Sequence, residues 1–177
     1  MRHFFQAVPV TVRASAIDFV GRVLSSPQSS ATAEMASRAK DLWEHRLAEG
    51  RNAPANHARE LGAFGWWAKA PGLEPDWRIA QVATVLELAG SIDPAFIVVE
   101  FLARTVETHA LQAVRCLAAI AQSQEDHGGF TMWSGEAEAI LASALESVDA
   151  AAQKEARELV NVMVARGYGG YAILLED

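Results

Sequence analysis

The amino-acid sequence predicts an all-α fold, with about eight amphipathic helices packed as consecutive antiparallel pairs. Apolar residues recur at helical spacing through nearly the whole chain, and no stretch combines strict alternation with the Asn-Gly or Asp-Gly turns of hairpins. The breaks between helical runs are short, which favours antiparallel neighbours. We therefore expect a HEAT- or armadillo-like α-solenoid, or an irregular helical bundle.

Periodicity places the helices, and turn residues delimit them. The predicted helices cover residues 10–25, 31–49, 57–69, 77–90, 94–106, 109–123, 134–147 and 150–166. Asp93-Pro94 is a start signal, because Asp accepts a bond from an orphaned N–H and Pro lacks that donor. The other predicted N-caps are Asp76, Ser134 and Asp149, and the predicted C-terminal glycines are Gly50, Gly90 and Gly167.

The composition is that of an ordinary globular chain. Of the 177 residues, 51% are hydrophobic and 21% are charged, too apolar for disorder and too charged for a membrane protein. We expect one domain over 1–177, with terminal segments at 1–9 and 168–177. The apolar then acidic tail, 171–177, either folds back on the last helix pair or docks into another subunit.

Charge and cysteine content make several classes of protein unfavourable. A net charge of −7 opposes phosphate-backbone binding, so nucleic acid is disfavoured as a partner. The single cysteine, Cys116, lies in an apolar run and is interpreted as a small buried hydrophobe in a reducing compartment. No run of about 20 apolar residues is present, and Pro9 and Arg13 interrupt any leader-like segment. We expect a soluble, cytoplasmic protein that does not bind a membrane.

Four of the helices share a recurring pattern of apolar residues, which we call the apolar template. It consists of a small or apolar residue, an apolar pair three and four positions later, and a further apolar or small residue, as any amphipathic helix approximates. The four instances are Ala16/Phe19/Val20/Val23, Val82/Val85/Leu86/Ala89, Ala113/Cys116/Leu117/Ile120 and Ala156/Leu159/Val160/Met163. The last two lie 43 residues apart, within the period of HEAT and armadillo helix pairs, whereas the interval before them is 31.

The most individual stretch of the chain is Glu60-Leu61-Gly62-Ala63-Phe64-Gly65-Trp66-Trp67. Together with Leu42-Trp43-Glu44-His45-Arg46 before it and Asp76-Trp77 and Ile92-Asp93-Pro94 after it, it resembles the HEAT-like C-terminal regions of large, poorly characterised bacterial multidomain proteins. The similarity runs from about Ala14 to Tyr168. In that group the region follows P-loop NTPase or other effector modules in chains often linked to defence against phage. The resemblance implies a recognition or scaffolding region, or a free-standing relative, and carries over no catalytic residue.

Four tryptophans, Trp43, Trp66, Trp67 and Trp77, are the candidate partner-binding residues. Adjacent residues on a helix point about 100° apart, so Trp66 and Trp67 cannot easily share one pocket. Two interpretations remain open. Both side chains fill the junction between helix pairs, or one of them joins Trp43 and Trp77 in an exposed binding patch.

The leading functional prediction is a non-catalytic protein-interaction or scaffolding domain, with a protein partner and with a homo-oligomer as a further possibility. Neither a phosphate-binding glycine loop nor a paired-histidine metal motif occurs, so we expect no enzyme activity, cofactor or metal. The alternative is a small-molecule sensor or enzyme with a pocket between helices. It would require His45, His109 or His127 to meet Glu100 or Glu107 in space.

Overall fold

The computed structural model describes residues 7–26, 32–123 and 132–176, and these residues are helical with short connections and no strand. The predicted all-α class is confirmed for these ranges. The chain divides into two compact units, Met1–Val98 and Val99–Asp177. Each unit has its own set of buried apolar side chains.

The helices follow the predicted order along the chain. The described residues form α1 (Val10–Ser25), α2 (Ala33–Asn52), α3 (Pro54–Gly62), α4 (Pro75–Ala89), α5 (Ala95–Ser123), α6 (Ser134–Leu145) and α7 (Ala150–Ala165). The 3₁₀ helices Gly65–Lys69 and Gly169–Leu175 follow α3 and α7. Within α5, His109 has non-helical dihedral angles, with φ at −134° and ψ at 42°. Two helical segments therefore meet there, close to the predicted junction between the fifth and sixth helices.

The predicted continuous helix over 57–69 is wrong, because the chain turns between α3 and the first 3₁₀ helix. The backbone pairs there with Asp93, whose N–H donates to the Gly62 carbonyl at 2.7 Å and whose carbonyl accepts from the Gly65 N–H at 3.2 Å. A Cβ at Gly65 would lie 2.4 Å from the Asp93 carbonyl oxygen, so this approach requires glycine. The Asp93-Pro94 peptide bond is cis, and α5 begins directly after Pro94.

Three predicted helix-end residues are confirmed. The Asp149 side chain caps α7 by accepting from the Ala151 and Ala152 N–H groups. Gly90 and Gly167 follow α4 and α7 with φ angles of 73° and 98°, where residues with a side chain are strained.

Three other predicted helix ends are wrong. Asp76 lies inside the first turn of α4, which already begins at Pro75, and Ser134 is the first residue of α6 instead of its cap. Gly50 does not end α2 but lies inside it. A Cβ at Gly50 would approach Leu61 Cδ1 to 2.6 Å, so this glycine serves close packing of α3 on α2.

In the second unit, the C-terminal 3₁₀ helix packs against α6 and α7. Tyr171 is buried and its hydroxyl donates a 2.8 Å hydrogen bond to the Ser134 carbonyl at the start of α6. Burial raises the pKa of Tyr171 to about 12. Of the two predictions for the tail, this packing agrees with the one in which it folds back on its own chain.

The recurring apolar template packs inward on three helices. Its buried members are Val82, Val85 and Leu86 on α4, Ala113, Cys116, Leu117 and Ile120 on α5, and Ala156, Leu159, Val160 and Met163 on α7. On α1 the template residues Phe19, Val20 and Val23 are exposed. This helix packs inward through a different set of small and apolar residues, namely Ala14, Ile17, Gly21 and Leu24.

Candidate interaction surface

Two of the predicted partner-binding tryptophans belong to the core of the first unit. Trp43 and Trp67 have no exposed surface. Trp43 stacks on Phe64 with ring centroids 4.8 Å apart and meets Trp67 edge-on at 5.7 Å. The Trp67 indole N–H donates to the Ile17 carbonyl at 2.9 Å. For Trp43 and Trp67, this burial agrees with the interpretation in which the rings fill the junction between helices, and partner binding by them stays an untested prediction.

Trp77 is partly exposed, but both its indole N–H and its ring already contact other residues of the unit. Its indole N–H donates to Glu44 at 2.9 Å, and its ring lies edge-on to Trp43 at 5.4 Å. The ammonium group of Lys40 lies 5.4 Å from the ring centroid and pairs with Glu74. Trp77 is therefore held in place by residues of its own unit, and only part of it is open to solvent.

Trp66 is also partly exposed, on the side of the unit where α1 meets the 3₁₀ helix Gly65–Lys69. Its ring lies edge-on to Phe96, with centroids 6.1 Å apart, and the Arg22 guanidinium covers it at 5.0 Å. For Trp66 and Trp77, partner binding stays a prediction.

An outward apolar feature of the first unit is the α1 stripe, which we define as Val12, Ala16, Phe19, Val20 and Val23. Phe19 is 67% exposed, and the three valines are between 37% and 45% exposed. At 100° per residue, the five positions fall within an arc of about 100° on the helix surface. Charged residues Asp18 and Arg22 pair with each other on the opposite flank at 2.8 Å.

Close packing fixes which face of α1 points outward. A Cβ at Gly21 would lie 2.5 Å from Trp67 Cδ1 and 2.8 Å from Trp66 Cβ, so the 3₁₀ helix approaches α1 as far as glycine allows. Ile17 is fully buried beside it. Turning the α1 stripe inward would place Phe19 or a valine where only a hydrogen atom fits.

A buried charge network also ties α1 to α2 and α3. Glu60 on α3 is fully buried and accepts from Arg13 Nε on α1 at 2.7 Å. Arg46 on α2, with 3% of its side chain exposed, donates Nε to one Glu60 oxygen and Nη2 to the other, the latter at 3.1 Å. His57 Nδ1 lies 3.3 Å from Arg46 and 3.5 Å from Glu60. Three helices therefore share one carboxylate.

Sequence reasoning missed this network. The sequence feature that could have revealed it is the acidic residue Glu60 directly before the apolar run Leu61-Gly62-Ala63-Phe64. If this helix face is buried, the charge must be paired. Which cations would reach it depends on packing between helices, because Arg46 and Arg13 are 14 and 47 residues away.

The residues named for the enzyme alternative are divided between the two units and the part of the chain outside the described ranges. Glu100 pairs with Arg104, one turn along α5, and Glu107 is exposed. His45 belongs to the first unit, Glu100, Glu107 and His109 to the second, and His127 lies outside the described residues. Within the ranges described, no group of three or more His, Cys, Asp or Glu side chains could hold a metal ion.

The buried position of Cys116 agrees with its interpretation as a small hydrophobe. It is buried in α5, and burial raises the pKa of its thiol to about 12. Because the thiolate is the nucleophile, the raised pKa and the burial make Cys116 a poor nucleophile at neutral pH.

A shallow groove of about 420 Å³ lies between α5 and α7 of the second unit. Apolar side chains including Val114 and Leu159 line it, beside Lys154 and Glu158, which approach each other to 3.8 Å. Across α5 and α7, Arg115 makes a two-pronged ion pair with Glu155 at 2.7 to 3.0 Å. The charged side chains that line the groove therefore each have an oppositely charged neighbour.

No family model, curated protein or solved structure matches this chain. The resemblance to HEAT-like regions of bacterial multidomain proteins therefore stays a prediction. Along the described ranges, no helix has both the length and the apolar run needed to cross a bilayer.

Proposed function

We propose that this chain is a non-catalytic protein-interaction or scaffolding domain, and that the α1 stripe is its contact surface. The observation that carries the proposal is an apolar helix face left outside while the opposite face of the same helix is packed as closely as glycine permits. Clustered exposed apolar side chains with a polar border are typical of protein-binding sites.

The energetics of the α1 stripe suit association. Fully burying a Phe or Val side chain contributes roughly 1.5–3 kcal/mol, and the exposed parts of Phe19, Val12, Val20 and Val23 amount to about half of that. The four side chains therefore offer about 4 kcal/mol on one partner, before the costs of association. A contact of this size gives reversible binding unless the partner also reaches neighbouring surfaces such as Trp66.

In this proposal the helices stack as antiparallel pairs of the HEAT or armadillo type. The burial of the template residues on α4, α5 and α7 supports this arrangement, as does the 43-residue spacing of the last two instances. The resemblance described above would make the domain a recognition region of a bacterial multidomain protein, or a free-standing relative of one.

Affinity capture from the native cell tests the proposal. The bait is the full chain, and the test variant is Phe19→Glu, which places a charge in the α1 stripe. Ile173→Glu is the matched control, because Ile173 is 64% exposed but lies on the C-terminal 3₁₀ helix. With a chemical cross-linker added before dilution, so that weak contacts survive capture, we expect one specifically retained protein that Phe19→Glu loses and Ile173→Glu keeps. Equal retention by both variants would show that the α1 stripe is not the contact surface.

A further inference from the structure

The α1 stripe has the spacing of a coiled-coil seam. Val12, Ala16, Phe19 and Val23 follow one another at intervals of four, three and four residues. This is the spacing at which one helix meets another along a shallow crossing. A helix with a matching seam is therefore one element that fits the stripe.

The order of side-chain sizes along this seam is self-complementary. In an antiparallel pair related by a two-fold axis, Val12 lies opposite Val23 of the second copy, and Ala16 lies opposite Phe19 of the second copy. The small side chain leaves room for the large one at both central positions. A parallel pair would instead set Phe19 against Phe19 and Ala16 against Ala16, leaving one layer crowded and the next empty.

We propose that the α1 stripe docks on the α1 stripe of a second copy of this chain, with the two helices antiparallel. This inference names the partner of the surface proposed above and rests on that proposed function. A two-fold contact of this kind uses the same patch on both subunits, as the commonest homodimers do.

Charge does not oppose the pairing locally. Arg13 is paired with Glu60 and Arg22 with Asp18, so the seam has no charged residue without a counter-charge beside it. In the antiparallel register, Arg22 lies opposite Ser15 of the second copy, and no like charges face each other. The net charge of −7 on each chain repels at longer range, so added salt should strengthen association.

The area of the α1 stripe predicts a weak dimer. A stable interface buries about 800 Å² per partner, and one helix face with a single phenylalanine supplies roughly half of that. We therefore expect a dissociation constant on the order of 100 μM, so dimers form at high protein concentration and separate on dilution.

Disulfide cross-linking between single-cysteine variants tests the register. The variants are Val12→Cys and Val23→Cys, each made in the full chain, where the native Cys116 is buried and stays protonated. Positions 12 and 23 of one helix are about 16 Å apart, beyond the reach of a disulfide. An antiparallel pair therefore joins the first variant to the second but neither variant to itself.

We expect mild oxidation at several hundred micromolar to give at least roughly tenfold more cross-linked dimer in the equimolar mixture than in either variant alone. An Ile173→Cys variant mixed with Val12→Cys measures random collision. Cross-linking of Val12→Cys to itself at the mixed level, or no cross-linking above the collision control, would overturn the proposal.

A size swap within the seam gives an independent test by sedimentation equilibrium. Ala16→Phe and Phe19→Ala each spoil the small-against-large match, whereas the double variant restores it with the sizes exchanged. We expect each single variant to weaken dimerisation at least several-fold and the double variant to recover most of the loss. The antiparallel register is contradicted if the double variant dimerises no more tightly than the single variant that dimerises least.

These outcomes separate the inference from the proposed function. If Phe19→Glu loses a captured protein of different sequence while the cross-links fail, the surface stands and a second copy is not its occupant. If Phe19→Glu changes neither capture nor, when added to both cysteine variants, their cross-linking, both proposals fail. Circular dichroism on every variant shows whether the helical fold is retained.

Discussion

Replacing Glu60 with glutamine is expected to destabilise the protein by about 3–5 kcal/mol. The glutamine keeps the size of the side chain but removes the charge shared by Arg13 and Arg46. Because Glu60 is fully buried and Arg46 is 3% exposed, neither water nor salt can replace that charge. Breaking a buried ion pair by removing one partner leaves an uncompensated buried charge, which has this order of cost.

The expected loss is a large share of the roughly 5–15 kcal/mol by which domains are ordinarily stable. Urea unfolding followed by circular dichroism measures it as a lower midpoint with an unchanged slope. The effect should persist at high salt, since buried pairs are screened much less than exposed ones.

Glu34→Gln is the matched control for this measurement. Glu34 pairs with Arg38 one turn along α2 at 2.7 Å, but both side chains are mostly exposed. Removing an exposed pair of this kind changes stability by about 0.5 kcal/mol or less. If Glu60→Gln resembled Glu34→Gln, the network would not anchor α1, and the reasoning from buried charge would be refuted.

Three further predictions concern packing and burial. Gly21→Ala should lower stability by roughly 1–3 kcal/mol in urea unfolding, because its Cβ would overlap Trp67, whereas Gly135→Ala in α6 meets nothing and should be neutral or stabilising. Cys116, whose pKa is raised to about 12, should resist alkylation at pH 8 in the folded protein and react within minutes in urea. Tyr171→Phe should cost about 0.5–1.5 kcal/mol by removing the hydrogen bond to the α6 N-terminus, again measured by urea unfolding.

Each of these predictions has a contrary result. Equal stability changes for the two glycine variants would show that α1 does not approach the 3₁₀ helix so closely. Rapid alkylation of folded Cys116 would show that α5 opens there. An unchanged stability of Tyr171→Phe would mean that the C-terminal segment does not depend on this bond for its packing.

Helix positions were largely predictable because local signals determine them. The predicted α1 limits, 10–25, match the observed helix, and Asp149 and Gly90 act as the sequence indicates. The helix predicted over 57–69 failed because its break depends on backbone pairing with Asp93, a contact remote in sequence. Periodicity within one segment cannot report such a contact.

The face on which a helix packs was less predictable than the helix itself. α1 carries two apolar faces, and the larger one, with Phe19 and three valines, matches the template that packs inward elsewhere. The face that is buried contains Gly21, which contributes little hydrophobicity but admits Trp67. Steric fit therefore outweighed hydrophobicity in determining which side of α1 is buried. A sequence pattern reports hydrophobicity but not steric fit.

The candidate site was predictable only in part for the same reason. Trp66 and Trp77 are partly exposed, whereas Trp43 and Trp67 complete the core with Phe64. The sequence shows that the tryptophans are concentrated near one another but does not show how their rings divide between inside and outside.

Thiol modification of cysteine variants on α1 tests most directly whether the apolar stripe faces outward. At a few micromolar protein, where dimers separate, we expect Phe19→Cys to react as fast as Ile173→Cys, an exposed reference. Ile17→Cys, on the packed face, should be protected at least about a hundredfold. Protection of Phe19→Cys together with fast modification of Ile17→Cys would contradict the account.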